Sequence, residues 1–220
     1  MDQKTINKRI NAFRDLCLTH VYSEPDTPLH KGVMDQMIDK IQNQYPPEGK
    51  ALDVGCGTGY AMQRFTELGN KSEWTGLTLS HTDAEAARAR GFDVVEQDMS
   101  FTDFADETFD YLWVRHSLEH SPYPLLTLLE FYRIMKPGAA AYIEMPSPKC
   151  DRLLEAYDNH YSIMGSKQWI CLMKRAGFVG QDFGEIDFEI MSHQPVWKGR
   201  EVYEWYIILK PVKPVDGSSS

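Results

Sequence analysis

The sequence predicts an α/β fold with a doubly wound, mostly parallel sheet, and three observations support this prediction. Residues 51–59 read Ala-Leu-Asp-Val-Gly-Cys-Gly-Thr-Gly, so that an apolar strand leads into three alternating glycines. The segment 60–68 has apolar residues at helical spacing, which completes a strand, a glycine turn and a helix. Further strand-like and helical stretches alternate after it, and 220 residues are enough for one domain with a sizeable core.

The residues before the first strand, 1–45, are expected to form a helical cap. Apolar residues recur at helical spacing in two stretches, namely Ile6, Ile10, Phe13, Leu16 and Cys17, and then Val33, Met37 and Ile41. The second of these helices is expected over 32–44. A simple packing extension is the alternative to a cap. Residues 46–214 then form the core domain, and 215–220 are expected to be a flexible tail.

The glycine turn is the strongest indication of a binding site. Glycine has no Cβ and tolerates positive φ, so this backbone can approach a ligand closely. Unpaired N–H groups at the start of the following helix would surround the same small ligand. Dinucleotide sites prefer G-x-G-x-x-G, whereas this chain has G-x-G-x-G with Asp53 two residues before Gly55. A plain tight turn is the remaining alternative.

Four more strands and a closing segment are expected after this turn. The four strands are predicted at Trp74–Leu79, Phe92–Glu96, Phe109–Val114 and Ala140–Met145. Lys136-Pro-Gly138 is expected to break the chain before the last of these strands. A helix is predicted over 166–176, and the last two strands are predicted at Val179–Met191 and Glu201–Lys210, paired antiparallel.

Together these motifs resemble those of the class I S-adenosylmethionine-dependent methyltransferases of the small-molecule type. Residues 115–120 read Arg-His-Ser-Leu-Glu-His and resemble the Leu-Glu-His signature that follows strand four in that family. The acidic glycine turn, the Lys-Pro-Gly turn and the Ala-Gly-Phe ending at 176–178 are also typical of it. The resemblance implies a Rossmann-like, seven-stranded, mostly parallel sheet with one reversed edge strand. It also implies S-adenosylmethionine as cofactor, N-terminal helices over that cofactor, and O- or N-methylation of a small-molecule acceptor.

The cofactor contacts that the resemblance implies are Asp53, Gly55, Cys56, Gly57, Gly59, Thr78, Asp83, Asp98, Met99 and Arg115. Most members hold the ribose hydroxyls with an acidic residue at the place of Thr78. Residues 76–80 instead resemble the variant of cyclopropane fatty-acid synthases, in which the residue five places after the threonine shares this contact. Here that residue is Asp83, whose carboxylate suits two vicinal hydroxyls. Asp98 and Met99 match the positions that contact adenine.

Three of these residues have a simpler interpretation. Asp83 is also compatible with an acidic residue in the first turn of a helix, and Asp98 with a loop aspartate that caps a turn. Cys56 is most simply a small filler residue inside the glycine turn.

The candidates for a general base are His116, Glu119, His120, His160 and Tyr161. Both His116 and Glu119 follow strand four, at the carboxyl edge of the sheet where such folds bind ligands. His160 and Tyr161 lie on the segment after strand five, which is expected to reach over the acceptor. Because a histidine suits proton transfer at neutral pH, His116 is the first choice and His160 the second. His120 is also compatible with a loop-ordering role, and His160 with a helix cap or a solvent-facing position.

The composition limits the partners and the location. Lys and Arg number 23 and Asp and Glu 32, a net charge of −9, which disfavours nucleic acid as a partner. The cysteines, Cys17, Cys56, Cys150 and Cys171, show neither a disulfide framework nor metal-ligand spacing. No metal is therefore expected, and a reducing cytoplasm fits. No membrane segment and no apolar N-terminal signal are expected. The oligomeric state stays open.

Three other functions are alternatives to the methylation of a small molecule. A protein that binds S-adenosylmethionine as a regulator or scaffold, without turnover, would retain the same cofactor motifs. A lipid-modifying enzyme like the cyclopropane synthases is a minor alternative, because this chain is shorter and lacks obvious lipid-handling insertions. Enzymes that methylate nucleic-acid amino groups usually carry Asn/Asp-Pro-Pro-aromatic after strand four, where this chain has Arg-His-Ser-Leu.

Overall fold

The structure is a computed structural model of the 220-residue chain and describes residues 1–21, 23, 27–146, 148, 159–178, 191–193, 196–197, 200–201 and 204–209. The helices in this part of the chain are α1 (Gln3–Leu18), α2 (Pro28–Gln44), α3 (Tyr60–Glu67), α4 (His81–Ala89), α5 (Pro124–Ile134) and α6 (Ser166–Ala176), with a 3₁₀ helix at Leu118–His120. The strands are β1 (Lys50–Val54), β2 (Glu73–Thr78), β3 (Asp93–Glu96), β4 (Phe109–Arg115), β5 (Met135–Pro146), β6 (Met191–His193), β7 (Val196–Trp197), β8 (Arg200–Glu201) and β9 (Glu204–Leu209).

The first five strands form a parallel sheet in the order β3-β2-β1-β4-β5, which confirms the α/β class and its parallel core. The chain moves from β1 to β2 on one side and later enters β4 on the other side. The order therefore reverses at β1, and the carboxyl ends of β1 and β4 border the crevice where open sheets of this kind bind ligands. Asp53 lies at this point, with Gly76 of β2 and Trp113 of β4 as its cross-strand neighbours.

Both faces of the sheet are buried, as a parallel sheet requires. Successive residues of β4 point to opposite faces, so that Leu112 packs in one apolar cluster and Trp113 in the other. Helices α5 and α6 cover the first face, where Phe131 and Trp169 are buried. The second face is covered by α2 and α3. No helix in the described ranges is long and apolar enough to span a bilayer.

The N-terminal helices form where apolar periodicity predicts them, but α2 begins four residues earlier than expected. Pro28 is its first residue, and proline is well suited to that position because no helical hydrogen bond needs its missing N–H there. Met37 and Ile41 of α2 are fully buried against the sheet. By contrast, Ile10 and Leu16 of α1 are exposed.

The Lys-Pro-Gly turn does not break the chain before β5, so that expectation is wrong. Strand β5 begins at Met135, which pairs with Phe109, and the pairing resumes at Ala140 opposite Tyr111. The residues between them form a bulge, which accommodates the positive φ of 77° at Gly138. A bulge keeps Phe109 paired while the extra residues are absorbed.

The reversed strand is β9, and it is not the edge strand, contrary to the expectation. It pairs antiparallel with β5 on one side and with β6 on the other, which gives the order β3-β2-β1-β4-β5-β9-β6. Six residues of β9 match six of β5, whereas β6 pairs over three residues. The longer strand therefore takes the inner place. Most of the predicted strand at 179–191, and the tail at 215–220, lie outside the described residues.

Candidate functional site

The glycine turn after β1 bends backwards over β2. Gly55, Gly57 and Gly59 all have positive φ, at 73°, 50° and 81°. The N–H groups of Gly55 and Cys56 donate to the carbonyl of Leu77 at 2.8 and 3.0 Å, which ties the turn to the neighbouring strand. Only glycine adopts three such conformations at little cost, so the sequence spacing directly specifies this backbone.

Two close approaches fix the position of the turn. A Cβ on Gly55 would lie 2.1 Å from the Ser117 Oγ, and a Cβ on Gly76 would lie 2.7 Å from the Cys56 Sγ. Cys56 is therefore packed against β2, which agrees with its interpretation as a filler, and burial raises the pKa of its thiol. A Cβ on Gly57, in contrast, would meet open space.

Gly57 lies on the wall of a cleft of about 170 Å³ at the carboxyl ends of the strands. Its walls contain Gly55, Gly57, Leu77, Thr78, Leu79, Asp83, Gln97, Met99, His116, Ser117 and His120. The structure thus brings six of the expected cofactor and catalytic residues to one cleft, together with His120. Leu77, Leu79, Gln97 and Ser117 were missed, although each lies next to a predicted site residue at the end of β2, β3 or β4.

The other candidates lie outside the walls of this cleft. These are Asp53, Cys56, Gly59, Asp98, Arg115, Glu119, His160 and Tyr161. Several of them contact the lining residues from behind.

Asp53 is a buried carboxyl at the end of β1. Its side chain is 3% exposed, and Oδ2 accepts no hydrogen bond from the described residues. Burial raises its pKa from 3.8 to about 8. An unpaired buried carboxylate oxygen is costly, and a ligand with a positively charged group would compensate for it.

Thr78 and Asp83 line the middle of the cleft. The Thr78 hydroxyl accepts a hydrogen bond from the N–H of Ser80 at 3.1 Å. Ser80 caps α4, where its hydroxyl accepts from the N–H of Asp83. The Asp83 carboxylate in turn accepts a hydrogen bond from the Ser23 hydroxyl, on the segment between α1 and α2. Both interpretations of Asp83 are therefore compatible with one position, in the first turn of a helix and on the wall of the cleft.

Of the two neighbouring residues Asp98 and Met99, only Met99 lines the cleft. The Asp98 carboxylate accepts hydrogen bonds from the N–H of Ser100 at 2.9 Å and from the Tyr123 hydroxyl at 3.2 Å. Burial and the nearby Asp98 charge raise the pKa of Tyr123 to about 12. Asp98 therefore orders its own loop, as the simpler interpretation holds, and each of its oxygens retains capacity to accept a further hydrogen bond.

His116 is the centre of a buried polar network. Its φ is +50°, an uncommon value for a residue other than glycine. Its N–H donates to the Glu144 carbonyl at 3.0 Å. Its ring nitrogens lie 3.1 Å (Nδ1) from Glu119 Oε1 and 3.2 Å (Nε2) from Glu144 Oε1. The neighbouring strand β5 thus supplies a carboxylate that sequence reasoning missed, because no local signal marks Glu144.

The two carboxylates determine the charge of this histidine. Burial alone would raise the pKa of Glu119, but the hydrogen bond and positive charge of His116 outweigh it and the pKa is lowered. Burial of Glu144 is likewise outweighed, chiefly by Arg115 and then by His116, so that its pKa lies well below the usual range. Ionised carboxylates only accept hydrogen bonds, so both His116 nitrogens must donate. The geometry therefore suits an imidazolium at His116, which would donate to both carboxylates.

Arg115, a candidate cofactor contact, lies on the Glu144 side of this network. Its Nε donates to Glu144 Oε2 at 3.1 Å. The same carboxylate oxygen accepts from the Tyr142 hydroxyl at 2.5 Å. Arg115, His116, Glu119 and Glu144 carry two positive and two negative charges, so the network has no net charge beside the cleft.

His160 is brought next to the 3₁₀ helix by hydrogen bonds between its own segment and that helix. Ser162 donates its N–H to the Glu119 carbonyl at 2.9 Å and its hydroxyl to the Ser121 carbonyl at 2.6 Å. As a result, the rings of His120 and His160 lie edge to face with centroids 4.6 Å apart. Tyr161, which lies between His160 and Ser162 in the sequence, is exposed.

The residues present fit S-adenosylmethionine. Gly57 leaves space for a ligand beside the turn, and the unpaired Asp53 oxygen suits the ammonium group of the methionine part. Thr78 and Asp83 would hold the ribose hydroxyls, and Met99 would contact the adenine. The neutral overall charge of the His116 network does not repel a cationic cofactor.

Comparisons with known proteins identify methyltransferases as relatives of this chain. A family profile described as a methyltransferase domain matches residues 52–143. The 27-O-demethylrifamycin SV methyltransferase of Amycolatopsis mediterranei is 25% identical over 226 residues, covering 90% of this chain and 82% of that protein. The ubiquinone biosynthesis O-methyltransferase of Nitrosococcus oceani is 31% identical over 123 residues, or 52% of this chain and 51% of that protein. The chain thus matches about half the length of this second relative.

Solved structures agree on the fold. The crystal structure of an S-adenosylmethionine-dependent methyltransferase from Archaeoglobus fulgidus superimposes with a TM-score of 0.63, at 16% identity, covering 82% of this chain and 94% of that one. The glycine turn at the point where the strand order reverses, the cleft beside it and these relatives lead to one assignment. Residues 52–143 match a methyltransferase domain, and together these findings support the class I superfamily of S-adenosylmethionine-dependent methyltransferases, with S-adenosylmethionine as the cofactor.

Proposed function

We propose that this methyltransferase methylates a hydroxyl oxygen of a small-molecule acceptor. The observation that carries the proposal is the position of His120 on the wall of the same cleft as Gly57. Its Nδ1 lies 3.2 Å from the Asn159 carbonyl oxygen, which can only accept, so Nδ1 carries the proton. In the neutral ring Nε2 then bears a lone pair, and a hydroxyl acceptor needs such a group to lose its proton.

The two relatives support oxygen as the methylated atom. Their names describe a 27-O-demethylrifamycin SV methyltransferase and a ubiquinone biosynthesis O-methyltransferase, both of which modify small molecules at oxygen. An amine acceptor at neutral pH would need less help with proton removal. A nitrogen acceptor is therefore the second possibility, and the experiment below separates the two.

The roles of the histidines follow from their partners. His116 was the first choice for the base, but an imidazolium held by Glu119 and Glu144 has no lone pair with which to take a proton. We assign it to holding the cleft wall in place, together with these two carboxylates. The hydroxyl proton is lost at the end of the cleft where His120 lies, with His160 beside it.

When bound, S-adenosylmethionine supplies a methyl group on a positively charged sulfur, which becomes a neutral thioether on transfer. The contribution of the protein is mainly alignment. We propose that Gly55, Gly57, Thr78, Asp83 and Met99 hold the cofactor directly. Asp53 acts as the partner of its ammonium group. Further contacts are proposed from Cys56, Gly59, Asp98 and Arg115.

The same proposal covers the arrangement of the chain. Residues 1–45 act as a cap, because Ser23 contacts Asp83 and Phe13 packs on Tyr123 with ring centroids 6.0 Å apart. Residues 46–214 form the catalytic core, and the pairings of β9 with β5 and β6 support the seven-stranded sheet that the family implies. A cytoplasmic location and the absence of nucleic-acid partners stay predictions.

The test is a screen with matched acceptor pairs, such as phenols and the anilines of the same skeleton. We expect S-adenosylhomocysteine to form only with the hydroxyl compound, and mass spectrometry to show a gain of one CH₂. For a turned-over acceptor, His120→Asn should lower kcat and leave S-adenosylhomocysteine affinity unchanged. His81→Asn, at an exposed histidine paired with Glu96, serves as the control.

Three results would count against this function. Turnover of the anilines alone would assign nitrogen as the acceptor. A kcat of His120→Asn equal to that of the parent would show that the acceptor hydroxyl does not lose its proton at this end of the cleft. Cofactor binding without turnover of any acceptor class would favour a regulator or scaffold.

A further inference from the structure

Three potential metal ligands meet at the wall of the cleft. Glu119, His120 and His160 each offer one ligand atom, and these atoms all lie within 4.8 Å of one another. Glu119 is buried, and the two histidines are half-buried. Cysteine spacing gave no reason to expect a metal in this chain. The group exists only because the segment around His160 folds back on the 3₁₀ helix.

Hydrogen bonds to three backbone carbonyls hold these two segments together. The N–H of Ser162 donates to Glu119, and the Ser162 hydroxyl donates to the Ser121 carbonyl. His120 Nδ1 donates to the Asn159 carbonyl, next to His160. The two segments are thus joined at three consecutive residues of the 3₁₀ region, which fixes the positions of the donor side chains.

The donor atoms have the chemistry that a metal ion requires. A histidine that binds a metal commonly donates its other ring N–H to a backbone carbonyl, and His120 makes this bond to Asn159. Glu119 is 1% exposed, and its Oε2 is buried without a hydrogen-bond partner among the described residues. Its other oxygen accepts from His116, which orients the carboxylate.

We propose that Glu119, His120 and His160 bind one divalent first-row transition ion, of the class of Zn²⁺, Mn²⁺ or Fe²⁺. Two imidazoles and one carboxylate suit these ions better than Mg²⁺ or Ca²⁺, which prefer oxygen ligands. Three protein ligands leave further coordination positions open, as catalytic sites do. Bonds of about 2.0–2.1 Å require the donors to approach by roughly 1 Å more, within reach of side-chain rotation.

The position gives the ion a role in the reaction, and this part of the inference rests on the proposed function. His120 lines the cleft, so an open coordination position would face the acceptor. A hydroxyl bound to the ion loses its proton to solvent at a lower pH than a free hydroxyl. The ion then promotes loss of the hydroxyl proton more strongly than an imidazole alone would. His120 acts as a ligand of the ion.

Metal binding can be measured without cofactor or acceptor. The full chain is treated with a chelator, dialysed, and titrated with Zn²⁺ by calorimetry and with Co²⁺ by visible absorption. We expect one ion per chain, with His160→Ala and His120→Ala each lowering the affinity by at least about 100-fold. His81→Ala should bind like the parent. Affinity for S-adenosylhomocysteine, unchanged in all variants, verifies folding.

The outcomes separate this inference from the proposed function. Absence of a stoichiometric ion in the parent, or an unchanged affinity in His160→Ala, overturns the metal site even if the enzyme methylates a hydroxyl. Stoichiometric binding that depends on both histidines establishes the site even if every acceptor tested is inert. With an active acceptor, chelation should lower kcat and Zn²⁺ or Mn²⁺ should restore it; a rate indifferent to chelation would overturn the role.

Discussion

At the scale of single residues, two features near the end of β1 favour the binding of a ligand. Gly57 lines the cleft, and a Cβ there would meet no protein atom within 4 Å. Asp53 carries a carboxyl whose second oxygen is buried without a partner. Gly57 therefore leaves space for a ligand. The unpaired Asp53 oxygen makes the ligand-free protein less stable than the protein with a positively charged ligand bound.

The role of Gly57 can be tested against a matched glycine. We expect Gly57→Val to weaken S-adenosylhomocysteine binding by about 100-fold or more, because a branched side chain fills the cleft and resists positive φ. Gly69→Val is the control, since Gly69 has a φ of +86° and open space around it but lies in the exposed turn after α3. Calorimetry on both variants measures the effect. Equal affinities would show that this turn is not the cofactor site.

Asp53 predicts a pH dependence of stability. Its pKa is raised from 3.8 to about 8 in the folded state, so the folded chain holds the proton more tightly than the unfolded chain. Its contribution to stability is complete below pH 4 and is lost as the pH rises to about 8. We expect Asp53→Asn to raise the melting temperature of the ligand-free protein more at pH 8 than at pH 5.

Comparing the two proteins cancels the other titrating groups. Glu119 and Glu144 have lowered pKa values and act in the opposite direction, but they are present in both. A difference between Asp53→Asn and parent that is the same at both pH values would show that the Asp53 carboxyl is not held neutral by burial. The variant should also bind S-adenosylhomocysteine more weakly.

At the scale of elements, the turn after β1 and the turn after β4 are fitted to each other. The Ser117 hydroxyl donates to the Val54 carbonyl at 2.7 Å, and it lies where a side chain on Gly55 would be. The positive φ of His116 directs the chain into this contact. The two turns that form the cleft are thus coupled, which keeps His116 and His120 at a fixed distance from the glycine turn.

A double-mutant cycle measures this coupling. Gly55→Ala should destabilise the protein by about 3 kcal/mol, from the clash with Ser117 and the positive φ. Ser117→Gly alone should cost about 1 kcal/mol for the lost hydrogen bond. In the double variant the clash is relieved, so we expect a loss smaller than the sum by about 1–2 kcal/mol in urea unfolding. Additive losses would refute the fit, and Gly69→Ala with Ser117→Gly is the additive control.

At the scale of the whole molecule, the strand order decides where ligands bind. β1 and β4 are adjacent in the sheet but far apart in sequence, and their connections leave in opposite directions. This places the glycine turn, Thr78, Met99 and His116 around one crevice. A nicotinamide dinucleotide fold shares the strand order, so the discrimination between cofactors comes from the turn and its acidic neighbours.

Cofactor choice is therefore tested on the whole chain by thermal unfolding. S-adenosylhomocysteine at 100 times its Kd should stabilise the fold by about 2.7 kcal/mol, which for a chain of this size raises the melting temperature by roughly 5–10 °C. Nicotinamide dinucleotides at the same concentration should produce no shift. A shift with the dinucleotide and none with S-adenosylhomocysteine would contradict the assignment.

The sequence by itself determined the parallel core and predicted several of the residues that line the cleft beside the glycine turn. Period-two and helical apolar patterns are local signals, and they located β1 to β4 and the helices to within a few residues. Glycine spacing specified positive φ at Gly55, Gly57 and Gly59, because few other residues adopt it. Residues at a strand end or shortly after it, such as Thr78, Met99 and His116, could be placed at the cleft because parallel strands end at a common edge.

Only the tertiary structure decided what those side chains contact. Glu144 reaches His116 through the register of β4 with β5. His160 reaches His120 because the N–H and the hydroxyl of Ser162 donate to the carbonyls of Glu119 and Ser121. The bulge near Gly138 and the inner place of β9 likewise depend on strand pairing. Such contacts join segments that share no local pattern, and they are selected by the packing and hydrogen bonding of the folded chain as a whole. On these contacts we propose that His116 is a half-buried cation rather than the base that the sequence predicted.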